Sequence, residues 1–451
     1  MDSLGPFRLI AGSDRGFGIL DADLQKKKVV EIKRIEMKNY TILSVLFLLC
    51  LITGLSFAKA QAVKTTDSLL ILTNANVMDV KLGRFISGKD IVISGGRIIA
   101  LARRGKKWKG ARVIDFKDKF IVPGLIDVHI HVTAPYQNNI ENTYSHLEYY
   151  LKHGITSIRD PGGDGLAQLE AQTNIREGKK IGATIYFASF MAGDWYFNRN
   201  IHLRTKPYRP WEQLIVPGTN LDSAMAVAKN FGATGVKLYH SFDRVFLPKV
   251  VAAAKRHGLK VWGHTMMYPA TPIDVVGAGV EVLSHVSMLE NLTTDTLFFK
   301  NQTPASYKDS VIANLDISTF CKMMKKNKAI LDATLVVSEE RDPWVFSLLK
   351  RVHQQGVEIA AGTDKVVGII RDYPVLLDEL NFFVTKCGFT TAEALRAATV
   401  VGARVIGREK HLGKIEKNMD ADLLVLKGNP LKDIMELANI EMVIKSGKMV
   451  N

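Results

Sequence analysis

Between Ile121 and His131 an apolar run passes through Pro123-Gly124 and ends in two histidines separated by one residue. In an extended strand, side chains two apart share a face. His129 and His131 would then point the same way, with Cα atoms about 6.6 Å apart, two residues of rise. That spacing lets two imidazoles converge on one ion through metal–nitrogen bonds of about 2.0–2.1 Å. The plain alternative is a strand that merely carries two histidines. The choice between them depends on whether further ligands lie elsewhere in the chain.

The frame around this stretch is read from periodicity. Strand-like runs at Leu69–Leu72, Asp90–Ser94, Gly95–Ala100 and Ala111–Asp115 precede it, and Gly95-Gly96 is a hairpin signal. The end of the chain reads alike, at Ala421–Leu426 and Met442–Val450. These two β-rich segments are expected to pair, as a β-sandwich of residues 61–121 and 410–451. Between them, strand candidates end at His131, Arg159, Ser189, Lys237, His264, His285, Thr334 and near Asp364, each followed by a loop and a helical pattern. The clearest helices are Val250–His257 and Thr391–Thr399, the second capped by Thr390 or Thr391. Eight such units over residues 122–409 are what an α/β fold of the (β/α)₈ TIM-barrel type requires. At 451 residues and 47% hydrophobic, the chain is long and apolar enough to bury such a core. The glycine-rich Asp160–Gly165 lacks phosphate-loop spacing and reads as a βα turn.

The N-terminus has a separate logic. Residues 1–36 are polar and patternless and read as an upstream extension. Met37-Lys38, an apolar run from Thr41 to Phe57 and Ala58-Lys59-Ala60 then form a signal peptide over residues 37–60. The expectation is export, to the periplasm or beyond, without stable membrane insertion after cleavage; an uncleaved anchor is the alternative. The formal charge is +15, yet the basic residues are scattered apart from Arg103–Lys109, read as a solvated turn, and Lys322–Lys328, read as a polar helix face. No nucleic-acid motif accompanies them, so a nucleic-acid partner is not expected. A homo-oligomer is left open. Cys50, Cys321 and Cys387 have no paired spacing, which indicates neither a disulfide framework nor a cysteine zinc site.

In a barrel the site lies at the C-terminal ends of the strands, so polar residues that end apolar runs are the candidates. Lys237 ends the fourth run, His264 the fifth, His285 the sixth and Asp364 the eighth. Singly, each has a structural explanation: an ion pair, a hydrogen-bonded core histidine, a helix cap. Jointly they complete a ligand set with His129 and His131.

Here the chain resembles the amidohydrolase superfamily from Ser68 to Asn451, closest to its Xaa-Pro dipeptidase and imidazolonepropionase-like branch. The matching text is Val122–His131, Thr156–Gly163, Val236–Tyr239, His264, His285, Ala361–Asp364, Glu393–Thr399 and Gly413–Leu426. The resemblance implies a metal-bearing barrel flanked by a β-sandwich, with Lys237 as a carbamate, derived from carbon dioxide, bridging two divalent metals. By that analogy His129, His131 and Asp364 hold one metal and His264 and His285 the other. The physical logic agrees, since an ammonium cannot ligate a cation and carbamylation makes a carboxylate-like bridge. Two metals sharing a hydroxide bring its pKa towards neutrality and polarise a carbonyl oxygen. Asp364 is the expected catalytic group, taking the water's proton to the leaving group. The donor set suits zinc, and also manganese, cobalt or iron.

The implied activity is hydrolysis of an amide bond in a small molecule of the dipeptide or N-acyl amino acid type. Alternatives are a lactonase, phosphotriesterase or cyclic-amide hydrolase on the same centre, or an inactive binding protein of the same fold. Tyr239, His240, Arg159 and His202 lie near strand ends or in loops and are candidates to bind a substrate carboxylate or carbonyl. Trp195, Tyr196 and Phe197 can wall a pocket or simply pack, in a long loop from Ala192 to Pro217.

Overall fold

A computed structural model of the chain describes residues 69–133, 139–199, 209–338, 343–366 and 371–450. The upstream extension, the signal peptide and His202 lie outside the described residues.

Gly95 and Gly96 both take positive φ (55° and 76°), the conformation a two-residue hairpin turn needs. They join Lys89–Ser94 to its antiparallel partner Arg97–Arg103. These two strands, with Leu70–Thr73 and Arg112–Asp115, form a four-stranded sheet. A six-stranded sheet orders Lys448–Val450, Ile440–Lys445, Leu423–Leu426, Phe120–Pro123, Asn76–Asp79 and Arg84–Ile86. Segments from either side of the barrel therefore meet in one sheet, where Leu423–Leu426 runs antiparallel to Phe120–Pro123. One apolar cluster draws on both sheets, with Leu72 and Ile91 from the first and Ile121, Leu423 and Val425 from the second.

The other large sheet is parallel. Its strands follow in chain order: Leu125–Asp127, Ile155–Asp160, Thr184–Ala192, Gly235–Leu238, Lys260–His264, Val282–Ser284, Ile330–Asp332 and Glu358–Ala360. Each pairs with the next. The Val128 N–H donates to the Ala361 carbonyl at 3.1 Å, which links the first strand to the eighth. The sheet thus curls into a TIM-like barrel. Alternation places Ile126, Ala188, Trp262, Val282, Ile330 and Ala360 in one interior cluster.

Helices cover the outside for ordinary reasons. Leu247–Arg256 buries Val250, Val251, Ala253 and Ala254 on one face. Thr391–Arg396 opens with a capping box in which Thr390 and Glu393 satisfy each other's backbone N–H. Lys322, Lys325 and Lys326 sit on the exposed face of Ser318–Asn327, and Arg103–Lys109 forms an exposed turn, both as expected. No described helix is long and apolar enough to cross a membrane.

The structure corrects two details. The stretch from Ile121 to His131 is not one strand. Pro123 ends a strand of the six-stranded sheet, Leu125 opens the barrel, and Gly124 is the crossing point, where a Cβ would lie 2.3 Å from Thr156 Oγ1. A bend at Val128-His129 follows, because the Asp127 carboxylate takes the His129 N–H at 3.0 Å. Several strands also stop short of the polar residue expected to end them. His285, Thr334 and Asp364 follow their strands with φ of 76°, 53° and 49°, a left-handed turn that redirects each side chain.

Candidate metal centre

Every expected ligand reaches the mouth of the barrel. His129 and His131 converge despite the bend: their Nε2 atoms lie 3.2 and 3.1 Å from the same oxygen, Asp364 Oδ1. Asp364 is held by its own backbone, whose N–H donates to the His129 carbonyl at 2.6 Å. The His129 ring stands 5.1 Å from that of His285, which is 4.7 Å from that of His264. Ligand-capable atoms of His129, His285 and Asp364 all lie within 4.8 Å of one another. That triad cuts across the division into two metals expected from the resemblance, taking members from each half.

The tautomers suit ligation. His131 Nδ1 donates to the Gly162 carbonyl at 2.7 Å, and His129 Nδ1 donates to Asp332 Oδ2 at 2.7 Å. With a cation bound, both arrangements would leave Nε2 free to ligate it; without one, burial lowers His131, but Asp160 and Asp364 outweigh it and raise the ring to about 10, with Nε2–H donating to Asp364 Oδ1. His285 Nδ1 lies 2.9 Å from Thr334 Oγ1. Burial holds His264 well below the usual imidazole range, with Lys237 adding to the effect, and pushes His285 down to about 3. Neutral imidazole is the form that binds a cation. For Asp364, burial favours the protonated form, yet His129 and His131 outweigh it and hold the carboxyl well below the usual range. The residues present fit a divalent metal.

Lys237 is buried, and Nζ donates to Ser284 Oγ at 3.2 Å. Burial, reinforced by Arg159, pushes its ammonium down to about 7. A lysine that loses its proton this readily can react at nitrogen.

Beneath the ligands lies a layer the sequence reading did not contain. Asp332, at the end of the seventh strand and fully buried, accepts from His129, from Arg159 Nη2 at 2.8 Å and from Ser284 Oγ at 2.9 Å. Asp160 accepts from the Val132 and Thr133 backbones and the Thr133 hydroxyl. One signal was available. In strands five, six and seven the residue two beyond an inward apolar one (Trp262, Val282, Ile330) is His264, Ser284 and Asp332. The same alternation that marks His264 marks Asp332.

Above the ligands a cavity of about 590 Å³ opens. Among the described residues its wall is aromatic on one side, where Phe190, Tyr196 and Tyr239 pack with centroids 4.8 to 5.1 Å apart. Tyr239, expected to touch substrate, lines it and packs 4.2 Å from the His264 ring. His240 does not line it; its ring stacks on Trp195 at 4.3 Å. Arg159 corrects the expectation outright. It is fully buried under the site, its guanidinium 4.9 Å over Trp262, with Nε donating to the Val128 carbonyl. A single inward step along the strand separates a substrate arginine from a supporting one. Of the three aromatics after strand three, Tyr196 lines the cavity, Phe197 is buried and Trp195 is 48% exposed. Arg209, Trp211 and Glu212, in the segment from Ala192 to Pro217 expected to be the substrate-specific element though not singled out there, also line it.

Comparison with known proteins adds to this geometry. Residues 120–450 match the Amidohydrolase family. Over 410 residues the chain is 24% identical to an imidazolonepropionase of Vibrio vulnificus, covering 79% of this chain and 91% of that protein. An adenine deaminase of Desulfatibacillum aliphaticivorans is 27% identical over 206 residues; the match covers 43% of this chain and only 32% of the deaminase. Among solved structures, a Xaa-Pro dipeptidase with methionine bound in its active site superposes with a TM-score of 0.68 at 22% identity. That match covers 85% of this chain and all of the dipeptidase chain.

Proposed function

The chain belongs to the amidohydrolase family, metal-dependent hydrolases acting on carbon–nitrogen bonds, and from that premise we propose that it cleaves an amide bond in a dipeptide or N-acyl amino acid. The observation that carries this reading is the convergence of His129, His131, His264, His285 and Asp364 around a buried Lys237 at the floor of one cavity. We assign the six as ligands of two divalent metals, zinc by preference, with Lys237 carbamylated. Such a centre, when occupied, supplies an activated water and polarises the scissile carbonyl. The protein does the rest. Asp364, facing the cavity with Oδ1 shared between two imidazoles, receives the water's proton and returns it to the departing amine. His131 and His129, tied down through Nδ1, keep their Nε2 atoms aimed at the same point as Asp364 Oδ1. Phe190, Tyr196 and Tyr239 exclude water from one side, and the Tyr239 hydroxyl is the donor offered to the substrate.

Deamination is the second reading, since deaminases are among the relatives. It is disfavoured by Lys237, which a single-metal deaminase site does not need. Lactones, phosphotriesters and cyclic amides are further candidates for the same centre, and an inactive binding protein is disfavoured by the complete ligand set. We further propose that the paired terminal sheets form a β-sandwich buttress, residues 61–121 with 410–451, on a barrel of residues 122–409, and that the protein works outside the cytoplasm.

Metal analysis and a substrate panel test the reading. About two divalent ions per chain are expected, with turnover of dipeptides or acyl amino acids. Lys237→Ala should lose activity by at least 100-fold and regain part of it with added short carboxylic acid, which replaces the bridge. Full activity of Lys237→Ala without the acid, or turnover confined to lactones or to aminopurines, would overturn it.

A further inference from the structure

Asp332 touches neither the cavity nor solvent, yet one of its oxygens gathers the supports of the whole site. Oδ2 accepts from His129 Nδ1 at 2.7 Å, Arg159 Nη2 at 2.8 Å and Ser284 Oγ at 2.9 Å. Ser284 Oγ in turn accepts from Lys237 Nζ at 3.2 Å. We propose that Asp332 is a positioning residue that holds the two halves of the metal centre in register, His129 directly and Lys237 through Ser284. The inference rests on the reading of His129 and Lys237 as ligands.

Each link has a chemical direction. The bond to Asp332 keeps the proton of His129 on Nδ1, so Nε2 presents its lone pair to the site. A hydroxyl has one proton, and Ser284 gives its proton to Asp332; its lone pairs therefore face Nζ. A carbamylated lysine keeps one N–H. Donated to Ser284, that N–H would fix the plane in which the carbamate is held. Arg159 makes the arrangement tolerable, because a buried carboxylate without a counter-charge is strongly destabilising.

The space around Asp332 is built for it. At Gly362, in the loop after the eighth strand, a Cβ would stand 2.4 Å from Asp332 Oδ1 and 2.7 Å from His129 Cβ. Only glycine lets that backbone pass so close. A residue serving merely as an internal ion pair for Arg159 would not need to share its oxygen with a ligand of the site and with the support of another.

The test is zinc binding, read by competition with a chromogenic chelator on metal-free protein in bicarbonate buffer. Circular dichroism and thermal unfolding of the metal-free forms are followed in parallel. Wild type, Asp332→Asn and Ser284→Ala are compared. Asp332→Asn should weaken both equivalents of zinc, by roughly the 10- to 100-fold typical of a lost outer-shell partner. Ser284→Ala reaches the centre only through the bridging Lys237 and should weaken both equivalents, by less than Asp332→Asn does. A merely structural Asp332 would lower the unfolding temperature and leave both affinities unchanged, and that result overturns the proposal. So does a Ser284→Ala protein whose zinc affinities match wild type. If Asp332→Asn does not fold, Ser284→Ala, which removes one hydroxyl, decides alone by whether zinc binding weakens. Wild-type protein that binds no zinc would instead refute the metal-centre reading itself.

Discussion

At the scale of single residues, position along an alternating strand decides chemistry more than residue type does. Arg159 and Asp332 are both charged, both lie on barrel strands of apolar residues, and both turn into the barrel beneath the candidate ligands instead of into the cavity. The six candidate ligands stood out because each lies at or near the end of an apolar run. Asp332 obeys the same rule, yet the seventh run continues through Ala333 to Thr334 and hides its end in the text. The two described cysteines illustrate the opposite outcome. Cys321 and Cys387 are fully buried, and burial pushes their thiols up to about 11 and about 12. Thiolate is the reactive form, so neither should react with a disulfide reagent between pH 7 and 9 in native protein, and both should react in denaturant. Rapid native labelling of either would contradict their placement.

At the scale of elements, the turns after the strands carry the site, and their anchoring is specific. Glu379, on the helix Leu376–Thr385, reaches the short helix Leu335–Ser338 after strand seven and accepts from the Leu335 and Val336 N–H groups at its start, at 3.0 and 2.9 Å. The same turn carries Val337 and Ser338, which line the cavity. Burial holds the Glu379 carboxyl well above its ordinary range, although both N–H donors pull the other way. The sign follows from linkage. A raised carboxyl contributes stability that is fully present below its unfolded pKa of about 4.3 and is lost as pH rises through the folded value. Glu379→Gln carries no charge to bury. Its stability relative to wild type should therefore increase from pH 5 to pH 9, measured by thermal unfolding; a margin that is flat or falls with pH would contradict the assignment. Helices such as Thr391–Arg396 were legible from their caps. The left-handed exits at His285, Thr334 and Asp364 were not, because none of these residues is glycine.

At the scale of the whole molecule, strands that precede the barrel and strands that follow it share one sheet. Leu423–Leu426 sits between Phe120–Pro123 and Ile440–Lys445 in the six-stranded sheet, and Leu423, Val425 and Ile444 are fully buried. Deleting residues 410–451 would expose the edge of Phe120–Pro123, directly before the first barrel strand, and unpaired apolar edges aggregate. The truncated protein should be insoluble or lose cooperative unfolding, as gel filtration and calorimetry would show; a soluble, active 1–409 fragment would contradict this role. The proposed leader makes a separate prediction. N-terminal sequencing of exported protein should begin near Gln61, and a mature chain that begins at Met1 would end that reading.

What the sequence by itself determined is the inventory and the order: eight strand–helix units, a residue with metal-binding chemistry in reach near the ends of five of them, and β segments before and after them. Those features are written in short-range alternation and in side-chain chemistry, which one sequence displays. The tertiary structure alone decided which charged residue faces the cavity and which supports it. It also brought Asp332, 203 residues from His129, to the same imidazole. The physical reason is that barrel closure sets the register between strands. Register fixes which inward side chains meet, and no local pattern records it.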